Sequence, residues 1–389
     1  MKKSLILALS LVLVLSACAP NFQKEEEVTD NTANNGSEDT AILPKYKISD
    51  DYYSMKLPFK SSAARGLVVN NLNTRYDISE LETGLMRVAQ NTFDPDKYYF
   101  QEGQYLSKEV VSSWLNREYT AKELKEKKLS ASENVGLNPS DENKSIEDSG
   151  EMEPIYLAHI LEHDYLVKND DSNKVGLGGV TIGLALNSVY YYQKEKNGAT
   201  YSSTISKEKI ESEGKKIAAE VIKRMRKMKG LSSVPITVAL FEQKESSSVV
   251  PGNFIAYATA EKSASALGDW KDINEKYVLF PNGNSKYKSD EDPFSYFKQD
   301  IEEYFPNFNG VVGRAFYVND KLQNLNIEIP IQFYGKAEVI GFTQFAAGNV
   351  MEHFPDDISV QVSITSVNGA EALIVRDAGA DEPYVHIYE

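Results

Sequence analysis

His159 and His163, with Glu162 between them, are the side chains in this sequence whose types and spacing best suit chemistry. The run His159-Ile-Leu-Glu-His163 matches H-x-x-E-H, the inverted zinc-protease motif. On a helix, both imidazoles would share one face as zinc ligands and Glu162 would polarise a bound water. A further carboxylate ligand would be needed downstream, and Glu242 is the candidate. Against this, the apolar segment from Ile155 to Val167 is ambiguous between helix and strand, and Asp164-Tyr165 runs into a β-like stretch. His353 and His386 stand alone. The expectation is therefore a packing or surface role for His159 and His163, with no metal, no cofactor and no catalysis; a zinc hydrolase is the lesser alternative. No Ser sits in G-x-S-x-G, and no Cys is free for catalysis. Adjacent carboxylates such as Glu302-Glu303 and Asp356-Asp357 are expected by chance among 57 Asp and Glu, so they single out no glycosidase pair. The glycines of Gly176-Leu-Gly-Gly179 precede a strand rather than a helix, which argues against a phosphate loop. Arg65 and Arg314 could line an anion pocket but read as ordinary surface arginines.

The lone cysteine, Cys18, carries a different chemistry. Lys2 and Lys3 are followed by an apolar run from Leu5 to Leu15 and by Leu15-Ser16-Ala17-Cys18. A charged start, a short apolar core and small residues at a cleavage point make a secretory signal peptide over residues 1–17. The apolar run is shorter than the ~18–20 residues that cross a bilayer as a permanent helix. Leu-Ser-Ala-Cys resembles the lipobox of bacterial lipoproteins. That resemblance implies diacylglycerol on the Cys18 sulfur, cleavage before Cys18 by lipoprotein signal peptidase, and an anchor on the extracytoplasmic face of the cell membrane. Two acyl chains anchor stably where one binds reversibly.

Composition narrows the partners. The chain has 389 residues, enough for about two domains, and is 41% hydrophobic, enough for real cores. Its net charge is −15, and loss of Lys2 and Lys3 takes it to −17. Such acidity argues against nucleic-acid binding and against electrostatic adhesion to an anionic membrane. With Cys18 lipidated there is no intrachain disulfide, so the folded part depends on burial.

The remaining residues define the elements. Residues 18–45 are polar and charged and read as a disordered tether. Asp77 and Glu80 suggest a capping box for a helix reaching Phe93; Ser107 and Thr120 begin two shorter helices. Ser130 to Glu153 reads as a surface loop. Val180-Thr-Ile-Gly-Leu-Ala-Leu186 alternates strictly and predicts a strand with one larger-residue face. Ser206 to Lys229 predicts an amphipathic helix, acidic at its start, basic at its end, and capped by Gly230. Its basic end reads as a solvated face matched to the helix dipole. A boundary at 230–234 divides residues 46–230 from residues 234–389. In the second part Asp292-Pro293 starts a helix, Ala337 to Phe354 forms another, and Asn368-Gly369 closes a hairpin. The expected fold class is α+β, two domains with mainly antiparallel sheets and packed helices.

Several stretches together resemble one family. These are the lipobox, the acidic segment after it, Tyr165-Leu-Val, Gly176 to Asn187, Tyr190-Tyr-Tyr, Gly310 to Tyr317 and Ile340 to Gly348. In combination they look like the CamS family of Gram-positive sex pheromone precursor lipoproteins. The resemblance implies that the released signal peptide is trimmed to a short apolar pheromone for plasmid conjugation. Here that peptide would be Leu11, Val12, Leu13, Val14, Leu15, Ser16 and Ala17, read by a pheromone receptor. For the folded part the resemblance implies no enzyme activity. The alternative is a ligand- or cell-wall-binding lipoprotein.

Overall fold

A computed structural model of the chain describes residues 25–30, 39–44, 48–140, 153–169, 171–195, 197–304, 310–333 and 335–389. The signal peptide, the lipobox, Cys18 and the proposed peptide Leu11–Ala17 lie outside the described residues, as do residues 141–152 of the expected surface loop.

The segment expected to be a disordered tether contributes strands. Glu25–Asp30 (β1) and Asp39–Pro44 (β2) pair antiparallel, and Thr29 and Asp30 lie in parallel register beside Lys174 and Val175. Val28, Ala41 and Leu43 are buried with Leu166 and Val175, and Asp30 forms a buried ion pair with Lys56. These few apolar residues suffice because a sheet edge is present to receive them.

The first body continues through β3 (Ser54–Met55), α1 (Val68–Asn71), α2 (Arg75–Ala89), β4 (Tyr99–Glu102), α3 (Lys108–Leu115) and α4 (Ala121–Lys127). Then come β5 (Leu157–Asn169), β6 (Lys174–Asn187), the ribbon β7 (Val189–Gln193) and β8 (Thr200–Thr204), α5 (Lys207–Met225), β9 (Ile236–Gln243), β10 (Asn253–Ala260) and β11 (Lys271–Asp272). The sheet runs β11-β10-β9-β6-β5-β4-β3, with β1 joining at β6. The expected boundary at 230–234 is therefore displaced. β9 lies parallel to β6 in the same sheet, with Val180 opposite Ile236, and α5 is the crossover between them. Residues 230–234 read like a linker because they are the return loop of that crossover.

β6 explains the layering. Val180, Ile182, Leu184 and Leu186 pack with Ile210, Ile217, Val221 and Ile222 of α5. The other face carries Thr181, Gly183 and Ala185, and α2 lies against it. A Cβ at Gly183 would meet Leu85 and Leu81 at 3.1 and 3.2 Å, and one at Gly179 would meet Phe93 at 2.1 Å. Small residues on one face and large ones on the other thus set a close helix and a distant one.

Helix ends follow local chemistry, with corrections. Thr74, not Asp77, caps α2, its hydroxyl accepting from the Asp77 N–H. Asp77 is instead buried, accepting from the Gly252 N–H at 2.7 Å. Ser107 and Thr120 cap as expected, Thr120 in a capping box with Glu123. Ser206 caps α5, whose C-cap is Arg226; Gly230 lies beyond it at φ +91°.

The second body holds β12 (Glu275–Phe280), α6 (Lys288–Tyr304), β13 (Val312–Val318), β14 (Lys321–Pro330), α7 (Lys336–His353), β15 (Ser359–Ser366), β16 (Gly369–Arg376) and β17 (Tyr384–Ile387), with the strands in that order. α6 begins at Lys288, so Pro293 sits inside it rather than at its start. Antiparallel pairs predominate; the parallel pairs among the described residues are β1 with β6, β3 with β4, β6 with β9, and β14 with β15. The fold class is α+β with mixed sheets.

The two bodies meet along α2. Arg87 bonds Glu80 at 2.6 Å and Glu275 at 2.7 Å, Tyr277 donates to Glu80 at 2.6 Å, and the Arg87 guanidinium lies 4.8 Å from the Phe316 ring.

Candidate functional site

The histidine motif lies on β5, not on a helix. From His159 to His163 the register with β6 is unbroken, so His159, Leu161 and His163 share the face toward α2 while Glu162 points to the other. There the Glu162 carboxylate accepts from the Tyr105 and Leu106 backbone N–H groups, at 3.0 and 2.7 Å. Strand alternation thus parts the two elements of the zinc motif, because a period of two sends Glu162 away from the imidazoles that a helix would place nearby. Glu242, the candidate third ligand, is on β9, and no group of three or more His, Cys, Asp or Glu able to hold a metal occurs among the described residues.

The burial that defeats the zinc reading perturbs each group. His159 is held down to about 4 and His163 to about 3, both by burial, so both rings are neutral near pH 7. Glu162 is raised by burial, against its backbone hydrogen bonds, and Asp164 is raised well above the carboxylate range by burial and by Glu162 beside it. Burial therefore favours the protonated form of each carboxyl.

Beside His159 and His163 lies a cavity of about 180 Å³. It forms where β4 stops at Glu102 while β5 runs on to Leu157, leaving an opening beside the longer strand. Leu161, Phe100, Leu106, Val111, Met55 and Met86 supply apolar walls; Phe59, Arg65, Glu82 and Glu102 also line it. His163 packs edge-on against Phe100 with ring centroids 4.9 Å apart. Asn71 contacts the His159 Nδ1 at 3.2 Å. The Nδ2 atom of Asn71, which makes this contact, can only donate, so Nδ1 accepts and the His159 proton sits on Nε2. The Nδ1 of His163 has no hydrogen-bond partner. Arg65 is largely exposed, with its guanidinium 5.5 Å from the Phe59 ring and 3.8 Å from Glu102, while Glu102 accepts from the Ser62 N–H at 2.6 Å. Burial and the neighbouring Glu102 raise Glu82.

The other singled-out residues are scattered. Arg314 pairs with Glu328 at 2.6 Å in the second body, so it shares no pocket with Arg65. His353 contacts Asp300 at 2.6 Å, and His386 packs against Tyr388. The basic end of α5 is only partly a solvated face. Arg226 donates to the carbonyls of Leu231, Val234, Ala260, Glu261 and Ala264 and so fastens the crossover loop, while Arg224 lies 5.3 Å from the Trp114 ring. The cavity walls gathered from Met55, Phe59, Met86, Phe100 and Leu106 carry no shared sequence motif; the apolar character of β5, the pair of histidines and Arg65 pointed to this region.

Known proteins share this fold. The sex pheromone precursor from Lactobacillus salivarius subsp. salivarius, a crystal structure, matches at a TM-score of 0.79 and 32% identity, covering 88% of this chain and 98% of that one. The C-terminal domain of the sex pheromone staph-cAM373 precursor from Staphylococcus aureus matches at 0.69 and 36% identity, covering 82% and 98%. No curated protein matches the chain at a significant level. Residues 59–382 match the family described as CamS sex pheromone cAM373 precursor, and the chain belongs to that family.

Proposed function

We propose that this chain is the precursor of two products: a lipid-anchored folded protein and a short apolar peptide that signals for plasmid conjugation. The observation that carries the reading is the position of Leu15-Ser16-Ala17-Cys18, directly after an apolar segment, in a member of a pheromone precursor family. Lipoprotein signal peptidase cuts between Ala17 and Cys18, and diacylglycerol on Cys18 holds the folded part on the extracytoplasmic face of the cell membrane. Among the described residues no helix is long and apolar enough to cross a membrane, so in this reading the acyl chains provide the attachment. Between Cys18 and the first residue of β1, Glu25, even a fully extended chain reaches only about 25 Å. The anchored body is therefore kept near the lipid surface rather than lifted far from it.

Leu11 to Ala17 has no charged side chain, so the released peptide partitions into apolar receptor pockets. The folded part is non-catalytic in this reading. The engagement of the Glu162 carboxylate by the Tyr105 and Leu106 N–H groups supports that, since a general base must be free to reach the group it serves.

Mass spectrometry of the producing cells tests the reading, with synthetic Leu11–Ala17 as the companion assay. The expected results are a diacylated Cys18 N-terminus in the membrane fraction, a peptide ending at Ala17 in the medium, and induction of conjugation by the synthetic peptide in a responsive recipient. An unmodified Cys18 would overturn the anchoring, and an inactive synthetic peptide would overturn the signalling role.

A further inference from the structure

We propose that the buried ion pair of Lys56 and Asp30 matures into a covalent amide, a side-chain crosslink that ties β1 to the residue after β3. The inference concerns the folded part alone and stands apart from the fate of Cys18 and of the released peptide.

Strand pairing brings the two groups together. β1 pairs with β2, β2 meets the end of β3 through Ile42 and Leu57, and β3 pairs with β4. β4 pairs with β5, β5 with β6, and β6 with β1, so six strands close a ring. Val28 and Asp30 alternate to one side of β1, as Ala41 and Leu43 do on β2, and all four are buried. Val28, Ala41 and Leu43 pack there against Leu166 and Val175 from the opposite wall. Met55 stands beside Phe100, so Lys56 falls on the other face, with Gln101 and, on β5, Asp164. The Lys56 ammonium donates to the Oδ2 of Asp30, and the two side chains are only 4% and 10% exposed.

Two features favour condensation of this pair. The reacting groups are already in contact and held by strands on both sides. Well-oriented groups within one molecule react as though present at roughly 10⁵–10⁸ M. The surroundings also resist charge, since burial raises Asp164, on the same face as Lys56, well above the carboxylate range. A buried ion pair is often no more stable than neutral groups of similar size, and the amide replaces two buried charges by none.

The step balances within the pair. The ammonium passes one proton to Oδ2, which leaves a neutral amine and a neutral acid. The Nζ lone pair of Lys56 attacks the Cγ of Asp30, and the Nζ–Cγ bond forms as the Cγ–Oδ2 bond breaks. Oδ2 departs as water carrying two protons from Nζ. No oxidant, reductant or co-reactant is consumed. The crosslink gives β1 a covalent hold where it otherwise has two residue pairs with β6, Thr29 with Lys174 and Asp30 with Val175. A chain with a single cysteine has no intrachain disulfide to do this.

Intact mass spectrometry of the folded full chain, kept folded overnight and then digested, tests the proposal. The expected mass is that of the sequence less one water, with one fragment joining the peptide of Asp30 to the peptide of Lys56. Lys56→Arg keeps the cation beside Asp30 but offers no amine, so it should show the full mass, separate peptides and a lower thermal midpoint than the parent. The parent's mass and fragments decide the matter even if that variant fails to fold. A parent of full mass with the two peptides separate would overturn the crosslink. So would a water lost within one peptide, as in a cyclic imide at an aspartate, or a loss of water that persists in Lys56→Arg.

Discussion

The two sheets of this chain bury themselves differently. From Val180 to Leu186, every residue of β6 is buried, because helices cover both faces of the first sheet. In the second body, β14 and β15 alternate buried and exposed residues, and α6 and α7 close one face over Phe280, Phe294, Phe297 and Phe342. Buried polar groups follow the same division. Asp77, Glu80, His159, Glu162, His163, Asp164 and Thr181 lie in the first body, against Glu291, Thr343, Asn349 and Arg376 in the second. A three-layer body has interior positions remote from solvent on both sides of its sheet, where polar groups must find partners inside the protein. The two-layer body leaves most of its polar residues on the open face. The apolar cavity beside the histidines lies in the three-layer body; the second body has its own, more polar opening of about 640 Å³, lined by Lys286, Asp290, Tyr317 and Asp320.

The largest expected break in this comparison is at the junction. Arg87→Met would leave Glu80 and Glu275 buried without their counter-charge and should cost about 3 kcal/mol, the low end for a broken buried pair because the guanidinium is about one-third exposed. Chemical denaturation measures this, and a cost under 1 kcal/mol would show that the junction tolerates unpaired carboxylates. Next is packing beneath α2. Gly179→Ala places a Cβ 2.1 Å from the Phe93 ring and should destabilise by about 2 kcal/mol through overpacking. An unchanged unfolding midpoint would mean that α2 shifts freely and that the three-layer packing is looser than described.

The pH dependence sharpens the comparison further. His159 and His163 are neutral when folded and titrate near 6.5 when unfolded, so their contribution is full above about 6.5 and is lost as pH falls toward about 4 and about 3. Glu162 and Asp164 act in the opposite sense: burial raises them, so their contribution is present at low pH and is lost as pH rises through their folded values. The clean readout is the difference between variant and parent. Between pH 6.5 and 4, His163→Phe should remove about 1.4 kcal/mol per pH unit from the acid-side slope of stability. Parallel stability curves for the two proteins would show that His163 is not a buried neutral ring. The smallest effect is expected in the second body. Gly348 in α7 has open space where a Cβ would sit, so Gly348→Ala should stabilise by about 0.5–1 kcal/mol; destabilisation there would mean that this body is as tightly filled around α7 as the first is around α2.

Features written in neighbouring residues were legible from the sequence. The alternation of β6, the Ser206 cap, the capping box of Thr120 and Glu123, and the hairpin closed before Gly369 each depend on a few consecutive side chains. Features settled by distant partners were not. β1 lies within a charged stretch and gains its place from Lys174 and Val175, far along the chain. The return loop after α5 reads as a linker until β9 is seen beside β6. The histidine motif misled for a related reason: the apolar residues around His159 and His163 suit a helix or a buried strand equally, and only pairing with β6 decides. The cavity draws its walls from five separate segments, residues 55–68, 82–86, 100–106, 111 and 159–163, and no local pattern announces such a site.

The central claim is that one cleavage event yields both the anchored protein and the peptide. The most direct measurement compares the medium of cells making the natural chain with that of cells making Cys18→Ser, scoring by mass spectrometry the peptide that ends at Ala17. The account predicts the peptide with the natural chain and its loss with Cys18→Ser, while the folded protein is still made. Equal amounts of the peptide from both would contradict it, since release would then be independent of the lipobox cysteine.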